Sequence, residues 1–172
     1  MSIPSITEIR QYLTFQLEDE IFGLDVSHVR EILEFTAVTK VPGTPDYMRG
    51  VINLRGSVVP VLDMRLKFGL TQTERTVNTC VVVVEASFEK ENMVIGALVD
   101  SVQEVFELEA NQIEPAPKIG THLRTEFIKG MGKRDETFII ILDIDKVFSL
   151  EEFAGVVEAG GSQPGKARAA NE

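Results

Sequence analysis

Three aspartates, Asp63, Asp100 and Asp143, each follow an apolar strand-like run, and a set of such carboxylates could in principle do acid/base work. The same residues could equally act as strand-end caps that accept from loose backbone donors, which is the simpler of the two readings. Metal chemistry needs clustered His, Cys or carboxylate ligands, whereas this chain has two distant histidines, His28 and His122, and a single cysteine. Both histidines read as solvated side chains. A serine nucleophile would need an elbow motif and a base; no Gly-x-Ser-x-Gly occurs, and Ser162 lies in a polar tail. The run Gly130-Met131-Gly132-Lys133 has the glycines and lysine of a phosphate loop. It leads through Asp135 and Glu136 into a strand rather than into the helix that such a loop requires, and so carries no phosphate site.

What remains is Asn53-Leu54-Arg55-Gly56, polar residues between two apolar runs. Arg55 has the planar fork that binds carboxylates in pairs of hydrogen bonds. It either ties its hairpin to a neighbouring segment or projects an anchor to a partner. Glu31, beside the apolar Val29 and Ile32, has the same two readings.

These residues sit in a recognisable frame. Residues 49–65 read as two short strands meeting at Gly56, because β-branched runs flank the glycine and there is no room for a helix pair. The frame recurs 80 positions later, with Tyr47, Gly50 and Asp63 matched by Phe127, Gly130 and Asp143. Upstream, Gly23, Val29, Glu31 and Pro42 match Gly96, Val102, Glu104 and Pro115 at a separation of 73. The chain is therefore read as an internal duplication, with the polar segment 70–78 as the boundary between two small β-subdomains.

Along the chain, residues 1–10 are expected to fray. Leu13, Phe15 and Leu17 alternate with Tyr12, Thr14 and Gln16, the period of a half-buried strand, and Ile21 to Asp25 is a second strand. Ser27 could cap a short helix with Val29, Ile32 and Leu33 on its apolar face. Thr36 to Val41 reads as a strand stopped by Pro42-Gly43-Thr44-Pro45, and Met64 to Phe68 as one helical turn. In the second half, strands are expected from Cys80 to Val84, Val94 to Val99 and Glu104 to Glu109, then a loop from Asn111 to Gly120. Thr137 to Leu142, an unbroken apolar run, suggests burial on both faces. Ser149 with Glu152 forms a capping box for a helix from about Leu150 to Val157, and the tail 158–172 is expected to be disordered. About nine short strands with few helices make the class mainly β.

Composition agrees. A chain of 172 residues with 44% hydrophobic content can bury roughly 68–70% of its unfolded surface without staples. The lone Cys80, inside an apolar run, reads as a small buried hydrophobe. The net charge of −10 argues against nucleic acid and anionic membranes, which attract through clustered Lys and Arg. No leader-like segment and no apolar run of membrane-spanning length occurs, so a cytoplasmic protein with a protein partner is expected.

Taken together, Tyr12-Leu13-Thr14-Phe15, Phe22-Gly23-Leu24-Asp25-Val26, Val29-Arg30-Glu31-Ile32, Gly50-Val51-Ile52-Asn53-Leu54-Arg55-Gly56, Val59-Pro60-Val61-Leu62-Asp63-Met64-Arg65 and Val99-Asp100-Ser101-Val102 closely resemble the CheW family of bacterial chemotaxis coupling proteins. The resemblance covers roughly residues 11–153. It implies two intertwined SH3-like five-stranded β-barrels with short helices and a C-terminal helix. It implies a non-enzymatic adaptor, without cofactor or metal, that bridges the histidine kinase CheA, through that kinase's regulatory domain, to the cytoplasmic tip of chemoreceptors. Such an adaptor would be recruited to receptor arrays at the inner face of the membrane. Carried over residue by residue, it puts Val29, Glu31 and Asn53 among candidates for a receptor-facing groove. Pro45, Arg55 and Val58 become candidates for a kinase-facing edge, with Arg55 alternatively structural. The similarly built CheV proteins append a receiver domain, and the short polar tail here disfavours that variant.

Overall fold

A computed structural model describes residues 9–35, 37–88, 91–115, 125–134 and 136–148. The strands are β1 (Ile9–Leu17), β2 (Glu20–Asp25), β3 (Val29–Glu34), β4 (Met48–Leu54), β5 (Ser57–Asp63), β6 (Cys80–Phe88), β7 (Glu91–Val99), β8 (Ser101–Glu109), β9 (Ile113–Glu114), β10 (Ile128–Arg134) and β11 (Thr137–Leu142). One-turn helices follow the two principal hairpins: α1 (Met64–Lys67) after β5 and α2 (Ile144–Val147) after β11. The mainly β class read from the sequence is what the chain adopts.

The duplication is visible in the backbone. In β4–β5 the register shifts between Met48 and Gly50, and in β10–β11 between Ile128 and Gly130. The Asp63 amide donates to Tyr47 O and the Asp143 amide to Phe127 O, at 2.6 and 2.8 Å. The two repeats also exchange hairpins. One sheet runs β3-β6-β7-β5-β4 and the other β8-β1-β2-β11-β10-β9, so the β1–β2 hairpin serves the second repeat and β6–β7 the first. Each exchanged hairpin is fastened by a short parallel ladder that includes a glycine, Gly23 against Ile141 and Gly96 against Val61. No side chain fits at Gly96, where a Cβ would lie 2.8 Å from Val81 Cγ1.

Each sheet curls, since residues from opposite edges share a core. Leu33 of β3 and Ile52 and Leu54 of β4 pack with Val61, Val81, Val83 and Leu98. Phe106 of β8 and Ile113 of β9 pack with Tyr12, Leu108, Ile139 and Ile141. Among the described residues no ladder joins the edge strands of either sheet, so closure into barrels is not seen. A larger core fills the space between the sheets, with Phe15, Phe22, Phe68 and Phe127 in succession at centroid distances of 5.7, 5.6 and 6.1 Å.

Several local expectations change. β1 is buried on both faces rather than one: Leu13, Phe15 and Leu17 face the central core, while Tyr12 and Thr14 are buried in the second sheet. No helix starts at Ser27. Asp25, rather than Ser27, caps a single 3-10 turn by accepting from the Ser27 amide at 2.9 Å, and the β-branched residues beyond it continue as β3. Of the strand expected from Thr36 to Val41, the described residues 37–41 contribute one bridge, Thr39 to Val51. The loop expected from Asn111 contains a 3-10 turn and the short β9. The helical turn at Met64 is present, and α2 is its unforeseen repeat, 80 residues on. Thr137 to Leu142 buries both faces from Ile139 onwards, while Phe138 is exposed. Cys80 is half-buried at the start of β6, less enclosed than expected, with Sγ 3.2 Å from Asn78 O. The capping box at Ser149, the expected C-terminal helix and the tail lie outside the described residues, as does His122.

Candidate functional site: the β4–β5 hairpin tip and the edge strand beside it

Leu54 pairs with Ser57, which leaves Arg55 and Gly56 as a two-residue turn. Both have positive φ, +52° and +89°, as the twist-matched hairpin turn demands. Glycine adopts this region freely and arginine does not, so the turn holds Arg55 in a conformation that L residues disfavour. Asn53 supports it by accepting the Gly56 amide on Oδ1 at 2.8 Å.

The turn aims the Arg55 guanidinium at Glu31 on β3. Nη1 and Nη2 donate to Oε2 and Oε1 at 2.5 and 3.1 Å, the paired geometry that the fork favours. β3 and β4 are the two edges of one sheet, and the ion pair spans the gap between them. The Arg55 side chain is 73% exposed and that of Glu31 25%, so the bridge lies at the surface with its carboxylate partly sheltered. The arginine's hydrogen bonds hold the Glu31 carboxyl below its ordinary range, and Glu31 in turn raises the guanidinium.

Around this pair the surface is apolar. Val58 is the cross-strand partner of Asn53 and is 52% exposed. Ile32, pointing away from the sheet's core on β3, is 43% exposed. Val29 is half-buried and packs against the central core, on the face of β3 opposite Glu31, because a bulge between them pairs Val29 with Val84 and Glu31 with Val83. Of the six candidates, Glu31, Asn53, Arg55 and Val58 thus form one cluster with Val29 beside it. Pro45 stands apart, before the far end of β4, where it lines an open depression of about 430 Å³ with Lys40, Arg49 and Leu66. Ile32 was missed as a surface residue because a helical reading put it inward; the alternation proper to a strand turns it out.

Two of the three aspartates, Asp63 and Asp100, act as fasteners. Asp63 is wholly buried and receives five hydrogen bonds, from the amides of Arg65, Leu66 and Thr73, the Thr73 hydroxyl and Arg49 Nη1. Asp100 receives Arg65 Nε and Nη2 at 2.8 and 2.5 Å and the Glu18 amide at 2.8 Å. That contact joins the β1–β2 turn to α1 of the other sheet, and Thr71 donates to Glu18 beside it, the main cause of that carboxyl's lowered pKa. Asp143 stands at the start of α2, where its side chain makes no cap hydrogen bond. The run from Gly130 to Lys133 lies within β10.

The pattern described as CheW-like domain matches residues 11–152. The chain is 39% identical over 145 residues to the chemotaxis protein CheW of Klebsiella aerogenes, covering 84% of this chain and 85% of that one. It is 32% identical over 143 residues to the chemotaxis protein CheW of Rhizobium meliloti, covering 83% and 90%. Among solved structures it resembles the scaffolding protein TtCheW from Thermoanaerobacter tengcongensis, at 32% identity and a TM-score of 0.75, covering 84% of this chain and 96% of that one. With its duplicated hairpins, the Asn-Leu-Arg-Gly tip and these relatives, the chain belongs to the CheW-like family.

Proposed function

We propose that this protein is a non-enzymatic adaptor that couples chemoreceptors to a CheA-type histidine kinase in bacterial chemotaxis, in the cytoplasm at receptor arrays. The observation that carries the reading is the Arg55–Glu31 bridge: a strained arginine at a hairpin tip, displayed among exposed apolar residues on the edge of a sheet. Such a surface suits contact with protein, where a central arginine flanked by apolar side chains supplies most of the affinity. Val29, Glu31 and Asn53 are assigned to the receptor and Pro45, Arg55 and Val58 to the kinase. Because Arg55 and Glu31 hold one another, the two contact regions share an ion pair, and a partner on one side feels the occupancy of the other.

The competing reading, a hydrolase or transferase built on the strand-end carboxylates, is disfavoured by their partners. The buried Asp63 already accepts five hydrogen bonds from the chain itself, and Asp100 is paired with Arg65. Among the described residues no helix is long and apolar enough to cross a membrane. The test is co-sedimentation of kinase with receptor-bearing membranes. This protein should bring the kinase down with the membranes and alter its autophosphorylation when an attractant binds, as state-dependent coupling requires. Kinase that sediments equally without it, or is never recruited, contradicts the assignment.

A further inference from the structure

The duplication supplies an internal standard against which the second sheet can be judged. Thr14 pairs with Gly23 as Val83 pairs with Gly96, so Thr14 stands where the first repeat has Val83. Gly132, paired with Ile139, stands where Ile52 pairs with Val59. Glu104 stands where Glu31 does, at the separation of 73 that also relates Gly23 to Gly96. In the five-stranded sheet, Val83, Ile52, Leu54 and Leu33 fill the concave face, and Arg55 covers it by reaching Glu31.

In the six-stranded sheet the filling is thinner. Threonine and glycine replace Val83 and Ile52, and at the separation of 80 the sequence has Arg134 and Asp135 for Leu54 and Arg55. The result is an open depression of about 280 Å³. Buried Thr14 and Ile139 form its floor, Ile21 and Phe106 its walls, and Glu104, Gln103 and Thr137 its rim. Glu104 is exposed and forms no ion pair with any described side chain. Its backbone is fixed by Thr14, whose hydroxyl donates to Glu104 O at 2.7 Å and accepts from Glu104 N at 3.0 Å. Glu104 therefore stands at the rim of a hollow of mixed lining, with Ile21, Phe106 and Ile139 as its apolar side chains, that the described residues do not fill in the way those of the other sheet do.

We propose that this hollow receives an arginine, together with the apolar residue before it, from an exposed loop of a protein partner. The guanidinium takes against Glu104 the place that Arg55 takes against Glu31, and the apolar side chain takes the place of Leu54. The acceptor carboxylate, the apolar side chains of Ile21, Phe106 and Ile139 and the open rim match that pair of side chains and no anionic ligand.

The test is an NMR titration of the full chain with a capped Asn-Leu-Arg-Gly tetrapeptide, with Asn-Leu-Glu-Gly as control. The arginine peptide should shift the amides of Thr14, Glu104, Phe106 and Ile139 and saturate at about millimolar concentration, the range of so small a contact. Glu104→Gln should weaken it at least about fivefold, and Arg134→Ala, which removes the cation that the sequence has in place of Leu54, should leave binding in place or strengthen it. Absence of saturating shifts at those amides in both the natural chain and Arg134→Ala would overturn the proposal. So would equal affinity for the glutamate peptide, or affinity unchanged by Glu104→Gln.

Discussion

Arg55 illustrates how one side chain can be structural and exposed at once. Its positive φ is imposed by a two-residue turn, its charge is met by Glu31 across the gap between sheet edges, and most of its surface still faces solvent. The depressed pKa of Glu31 has a definite sign. A carboxyl whose folded-state pKa lies below its unfolded value adds stability above the ordinary 4.5, and that stability is lost as pH falls through the lower folded value. Because the pair is exposed, salt should screen it. A carbon-detected titration should find the Glu31 carboxyl below 4.5 in the natural chain and close to 4.5 in Arg55→Gln. Identical titration curves in the two proteins would show that the bridge does not form in solution.

At the scale of elements, the hairpins depend on glycines for two different reasons. Gly56 has φ of +89° with open space where a Cβ would go, so Gly56→Ala should cost about 1–2 kcal/mol from conformation alone. Gly50 has φ of +150°, and a Cβ there would lie 2.4 Å from Thr39 O, so Gly50→Ala should cost about 3 kcal/mol or more by breaking the Thr39–Val51 bridge. Urea midpoints of the two variants should fall in that order; the reverse order would mean that β4 is free of the 37–41 segment. The β4–β5 hairpin was legible because a glycine turn between β-branched runs is a short-range signal, whereas β10–β11, with no glycine between its strands, was legible only through the recurrence of the frame 80 residues on. α2 could have been read from the same repeat, since Asp143 to Phe148 follows Asp63 to Phe68 at the separation of 80 that relates the hairpins. β3 was misread as helix because Val29, Ile32 and Leu33 satisfy helical spacing over a stretch too short to decide the period. The hairpin exchange was not legible in the residues themselves. Which sheet takes β1–β2 is decided by contacts such as Gly23 with Ile141, more than a hundred residues apart, and came only as an implication of the family resemblance. Of the candidate site, the residue types were legible, but the meeting of Glu31 with Arg55 required the sheet to curl.

For the whole molecule, the exchange makes the repeats interdependent. The phenylalanine succession and the Glu18–Asp100–Arg65 contacts cross from one sheet to the other, so neither sheet keeps its core alone. Hydrogen exchange should give the slowest amides of β7 and β11 the same opening free energy within about 0.5 kcal/mol, as expected of one cooperative unit. Separate values would show two independently unfolding halves. Such a rigid double sheet is suited to transmit a push at one edge to the other, which an adaptor between receptor and kinase requires. The most direct measurement is a calorimetric titration of the chain with the regulatory region of a CheA-type kinase from the same organism, repeated with Arg55→Glu. Binding at about micromolar or tighter is expected, weakened about fivefold or more by the charge reversal while the fold is retained. Equal affinity of the two proteins would remove Arg55 from the interface, and no binding by either would contradict the adaptor assignment itself.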